Sequence, residues 1–217
     1  MNTLISTSID YKNIGLVKLL HRLRQDLDIF CLVSVNVDGI KQRGIGVSFF
    51  GHLRQLVIES IALSICKIYE HEGKHELNSI HGVFRNLPKD VRTILDNAKL
   101  KAFIQKYNGP LIMDDPISAI ESTIKKYRKR YQIELDRFKN FRNKKAAHSQ
   151  YEVSIDNLPS FDVMENLFYF GADFYALISS SFIGVGPHDL NSQRYVKTSL
   201  KKVFQKLGIE DIRTDMQ

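Results

Sequence analysis

Ile117, Ile120, Ile124, Tyr127, Tyr131, Leu135, Phe138 and Phe141 follow one another at spacings of three and four. Only a helix brings such a row onto one face. The row predicts one helix of about 30 residues, or two helices in near-continuous register. So long an apolar stripe has to be covered by other elements, and in this chain those elements read as helices too. The only hint of strand alternation is the short stretch LVSVNV at 32–37. Helical spacing recurs instead in Leu16, Leu19, Leu20, Leu23, Leu27, Phe30 and Cys31, and again in Leu53, Val57, Ile61, Ile65 and Ile68.

Punctuation supports the same division. Three glycines between Asn36 and Gly46 predict a loop, and Gly73 predicts the end of the helix carrying Leu53 to Ile68. Residues 77–87 and 91–103 read as shorter helical pieces joined at Pro88. Asn108, Gly109 and Pro110 break the chain, after which Asp114 or Asp115 caps the long helix with Pro116 at its first position. Val163, Met164, Leu167, Phe168, Phe174 and Leu177 mark a further helix, residues 184–187 end it, and residues 195–207 form a last amphipathic one. The expected fold is an all-α antiparallel helical bundle with additional short helices, a single domain over residues 1–217.

Composition narrows the function class. No run of 18 apolar residues occurs and the first residues have neither a basic nor an apolar leader region, so the expectation is a cytoplasmic chain with no membrane partner. Cys31 and Cys66 fall in helical apolar patterns and are expected as free thiols. Charge is the more telling property. The whole chain carries +7, yet between Lys125 and Lys145 ten basic residues face only Glu134 and Asp136, a local +8. A concentrated positive stripe suits a phosphate backbone, and it is also what a solvated helix face looks like.

Late in this stripe stands FRNKKAAHS, residues 141–149. Arg142, the polar Asn143 and then His148 resemble the R-x(4–6)-H signature of HEPN domains. The surrounding ELDRFKNFRNKKAAHSQ, together with LRQLVIESIALSICKIYE at 53–70, is similar to the AbiU2 branch associated with phage abortive infection, over about residues 50–180. The resemblance implies a helical bundle of HEPN type and a metal-independent endoribonuclease with no cofactor. In that chemistry the ribose 2′-hydroxyl attacks the neighbouring phosphorus, His148 moves protons, and Arg142 stabilises the phosphorane. Asn143 is expected to orient His148 or the phosphate. Lys126, Lys129, Lys139, Lys144 and Lys145 are expected to contact RNA, and Tyr151 either stacks on a base or, the favoured reading, is a partly buried structural tyrosine. HEPN toxins carry a modified tyrosine after R-x4-H-x, whereas the spacing here is R-x5-H-x2-Tyr151.

Arg142 and His148 are about 9 Å apart along a helix axis and turned by roughly 120°, so one helix holds them loosely. Ala146 and Ala147 lack bulk and would admit a second helix, which suggests a homodimer with both motifs in one basic groove. The resemblance also admits an antitoxin or other regulatory partner, and it admits a non-catalytic module that binds RNA or protein. In the blandest reading Arg142 pairs with Glu134, Asp136 or another acid, and His148 caps the helix end.

A second motif competes. His71, Glu72 and His75 form HExxH, with His81 six residues on, similar to a zinc peptidase in which the histidines bind metal and Glu72 activates water. Gly73, Lys74 and Glu76 make this segment a polar helix end, Asn78 stands where a glycine is needed, and no sheet or Met-turn accompanies it. The expectation is that these histidines do not converge on one metal.

Overall fold

The computed structural model describes residues 15–44, 46–70, 79–87, 97–109, 115–148, 157–182, 190, 195–209 and 212–214. Among them the secondary structure is entirely helical: α1 (Leu16–Val35), α2 (Val37–Arg43), α3 (Val47–Ile68), α4 (Ile80–Arg85), α5 (Asn97–Asn108), α6 (Pro116–Arg130), α7 (Gln132–His148), α8 (Phe161–Phe182) and α9 (Tyr195–Lys206). The fold is therefore an all-α bundle.

The long apolar row is divided between α6 and α7 at Tyr131, which departs from helical geometry at φ −104° and ψ 21°. Register survives the break, because the Tyr131 amide bonds to the Tyr127 carbonyl at 3.2 Å and the Leu135 amide to the Tyr131 carbonyl at 2.9 Å. Ile120, Ile124, Tyr127, Phe138 and Phe141 consequently all reach one core. Asp115 caps α6 as expected, its carboxylate accepting from the Ser118 amide at 3.0 Å with Pro116 following.

Three long helices build most of the interior. α1 and α3 have the most extensive contact in the fold, and α8 crosses α1 closely. At that crossing a Cβ on Gly171 would stand 2.8 Å from a Leu20 methyl, so glycine sets the distance between the two helices. The crossing also encloses charge. Arg24 and Asp28, one turn apart on α1, are 4% and 2% exposed and form a hydrogen-bonded ion pair. Glu165 of α8 approaches Arg24 at 3.4 Å.

Aromatic side chains tie α5, α6 and α8 together. The Tyr127 ring stacks on Phe170 with centroids 3.9 Å apart, and the Tyr127 hydroxyl donates to the Asn166 carbonyl at 2.7 Å. Tyr107 meets both rings edge-on and donates to Asp173 at 2.6 Å.

Two local expectations are corrected. The glycine-rich segment after Asn36 is mostly helical, because Ile40 is drawn into a small second core with Leu32, Val33, Phe50, Phe204 and Ile209. Gly39 packs where a Cβ would be 3.1 Å from Ile209, which leaves the left-handed turn to Gly44 and Gly46. α3 ends at Ile68 rather than near Gly73, since Tyr69 leaves the helix to bury its ring and donate to the Leu167 carbonyl at 2.6 Å. The LVSVNV stretch is helical apart from Asn36. The side chain of Asn36 accepts from the Arg213 amide at 3.0 Å and donates to the Arg213 carbonyl at 2.9 Å, pinning the end of the described chain to its beginning. Gly73, Pro88 and residues 184–187 lie outside the described residues.

Candidate functional site

The apolar row fixes one face of α6 and α7 against the core, and the polar residues beside it are thereby aimed at the end of α3. Arg128, Gln132, Leu135, Lys139 and Arg142 stand at spacings of four, three, four and three. Leu135 is shared with the apolar row, and the four polar residues flank it along one edge. With Asp136 of α7 and Cys66, Tyr69 and Glu70 at the end of α3 they line a cleft of about 440 Å³.

Arg142 sits at one end of this cleft. Its Nε and Nη2 donate to the Asn143 Oδ1, each at 3.2 Å, and its Nη1 stands 4.0 Å from a Glu70 oxygen. The acid facing Arg142 thus comes from just past the end of α3, not from Glu134 or Asp136 on its own helix. Both Asp136 oxygens accept from the Gln132 amide at 3.1 Å. Cys66 is half-buried, and burial pushes its thiol up to about 11, with Arg142 pulling the other way. It is a weak nucleophile at neutral pH.

The expected site residues separate into groups. Lys139, Arg142 and Asn143 gather at or beside the cleft, whereas Lys144 and Lys129 are exposed on α7 and α6. Lys145 is engaged elsewhere, its ammonium 2.6 Å from Glu59 on α3. Burial alone would raise the Glu59 carboxyl, but hydrogen bonds from Lys145 and Gln55 outweigh it and hold it below the ordinary value. Lys126 donates to the Asn108 carbonyl at 2.7 Å, closing the end of α5. His148 is the last residue of α7. The side chains of Ala146, Ala147 and His148, and the whole of Tyr151, lie outside the described residues.

Sequence reading passed over Arg128, Glu70 and Cys66 as site residues. Arg128 was detectable, because it heads the polar row. Glu70 and Cys66 enter only through the packing of α3 on α7. His71, Glu72 and His75 lie outside the described residues, and His81, on α4, borders a small apolar pocket with Ile80, Phe84, Ile124 and Phe170. Among the described residues no group of three or more His, Cys, Asp or Glu side chains is arranged to hold a metal ion.

Neither a curated protein nor a solved structure matches the chain. The family model for HEPN AbiU2, described as AbiU2, matches residues 15–184. It takes in α1 to α8 and starts well before residue 50, where the sequence resemblance begins. A match over most of the chain, on an all-helical bundle that sets Arg142 in a basic cleft, places this protein in the AbiU2 family of HEPN domains.

Proposed function

We propose that this protein is a metal-independent endoribonuclease acting in phage defence or as the toxin of a toxin and antitoxin pair. The observation that carries the reading is the setting of Arg142. Its guanidinium is steadied by Asn143 and Glu70 at the end of a cleft that also holds Arg128 and Lys139, on the helix that ends in His148.

The chemistry follows from those groups. A base takes the proton of the ribose 2′-hydroxyl, the 2′-oxygen to phosphorus bond forms, the phosphorus to 5′-oxygen bond breaks, and an acid returns a proton to the departing 5′-oxygen. His148 supplies the proton transfer. Arg142 offers two N–H groups to the phosphorane oxygens, a geometry that a lysine does not reproduce. Asn143 and Glu70 position Arg142, and the exposed lysines of α6 and α7 hold flanking phosphates.

The site is completed by a second copy of the chain. By length and composition α3 is apolar enough to cross a membrane, but its apolar residues are split between the core face and an outer stripe. Phe49, Leu56 and Leu63 on that stripe are seven residues apart and 63%, 50% and 44% exposed. The stripe runs beside the Glu59 to Lys145 pair. A copy covering it would therefore lie next to the last turn of α7 and its Arg142 to His148 segment.

Two measurements test this. Purified protein incubated with total RNA in EDTA should generate fragments ending in 2′,3′-cyclic phosphate. Binding without fragments would instead favour a non-catalytic module. Leu56→Glu combined with Leu63→Glu should convert a sedimenting dimer into folded monomer and lower cleavage by at least tenfold. A double variant that stays dimeric would remove the stripe from the interface.

A further inference from the structure

Of the three cations in the cleft, Arg142 alone has an acid within ion-pair range among the described residues. Arg128 is half-buried, yet its guanidinium forms no ion pair or hydrogen bond with any described residue. A guanidinium kept in a part-buried wall forgoes much of its hydration, and no described residue offers it a carboxylate in return. An anion arriving from outside would supply that complement. Lys139 also lacks a partner among the described residues and stands between Arg128 and Arg142 on the same row.

The row itself has a useful length. From Arg128 to Arg142 it spans fourteen residues, about 21 Å of helix. A single nucleic-acid strand lays down several phosphates over that distance. Cys66 and Leu135 provide apolar wall between the charges. The volume of about 440 Å³ suits a small-ligand site rather than the width of a duplex. Past Tyr69 and Arg128 lies a second pocket of about 40 Å³, too small to admit a base. The ligand's base is thus kept in the main cleft.

We propose that this cleft is the seat for the single-stranded RNA flanking the scissile bond. Arg128 and Lys139 hold separate phosphates on one side of the cut, and the strand runs along α6 and α7 toward Arg142. The assignment rests on the ribonuclease reading for the identity of the cut, and it makes Arg128 a binding residue, not a catalytic one. Glu70, the acid on the α3 side of the cleft, disfavours a strand lying deeper against α3 and keeps it toward the cationic row.

The test uses the full chain and a 2′-O-methyl RNA tetranucleotide, which binds but cannot be cleaved. Arg128→Gln should weaken its binding five- to twentyfold and lower the dependence of log Kd on log salt by about one phosphate contact. On cleavable RNA the same variant should raise KM by a similar factor with kcat within twofold. Arg128→Lys should recover part of the affinity. Arg130→Gln, the same charge change at an exposed neighbour, is the reference. If Arg128→Gln binds the tetranucleotide no worse than Arg130→Gln while wild-type protein cleaves RNA, the cleft assignment fails and the nuclease stands. If tetranucleotide binding depends on Arg128 but wild type cleaves nothing, the RNA seat holds and the ribonuclease reading fails.

Discussion

Replacing His148 by alanine should slow single-turnover cleavage of saturating RNA in EDTA by about 10²–10⁴-fold, the range typical of a lost general acid or base. Arg142→Ala should cost about 10²–10³-fold through the loss of phosphorane stabilisation. The two losses differ in kind, and the pH profile separates them. His148→Ala should remove the limb of the rate profile that belongs to proton transfer by the imidazole. Arg142→Ala should keep that limb at a lower rate, and Arg142→Lys should rescue it poorly, because an ammonium cannot present the forked pair of donors. Mixing Arg142→Ala chains with His148→Ala chains tests the shared site. Some mixed dimers then hold one groove with an intact pair, and activity should exceed that of either parent. A protein that is monomeric at micromolar concentration and cleaves at full rate would overturn the composite site while leaving both residues their roles.

The second large effect concerns stability. Asp28→Ala leaves the Arg24 guanidinium in the crossing of α1 and α8, beside the more distant Glu165 and the face of Phe168, 5.5 Å from the ring centroid. Burial pushes the Arg24 guanidinium down, and the hydrogen bond and charge of Asp28, together with the charges of Tyr169 and Glu165, more than offset it and hold it above its ordinary value. Removing one partner of such a pair costs about 3–5 kcal/mol, a large part of a domain's stability. Urea denaturation should show the midpoint falling steeply for Asp28→Ala and less for Asp28→Asn, which keeps an acceptor. The double change Arg24→Met with Asp28→Leu should regain most of the loss, since both fully buried charges go together and the remaining Glu165 is part-exposed. A loss below about 1 kcal/mol for Asp28→Ala would mean that water or Glu165 satisfies Arg24 without it.

How far the sequence discloses this molecule depends on the range of the interaction. The α6 and α7 row, the Asp115 cap and the break at Gly109 are local patterns, and each is met in the structure. The segment after Asn36 misleads because glycine content reports local freedom, while Ile40 is held by residues from the far end of the chain. Arg24 and Asp28 show the i, i+4 spacing of an ordinary surface pair, and nothing local tells that α8 covers them. The candidate site divides in the same way. Arg142, Asn143 and Lys139 are legible from their own helix, but the acid that steadies Arg142 is Glu70, and the two meet only because α3 and α7 run side by side.

The tie between Asn36 and Arg213 spans 177 residues, and this gives the molecule a timetable. At ordinary rates of translation the partner of Asn36 leaves the ribosome on the order of ten to thirty seconds after it. Until Phe204 and Ile209 emerge, Leu32, Val33, Ile40 and Phe50 have no lid. Contacts of such separation close late, so the helices made first are among the last to be fully buried. The face they expose while waiting is where a nascent chain would need a chaperone.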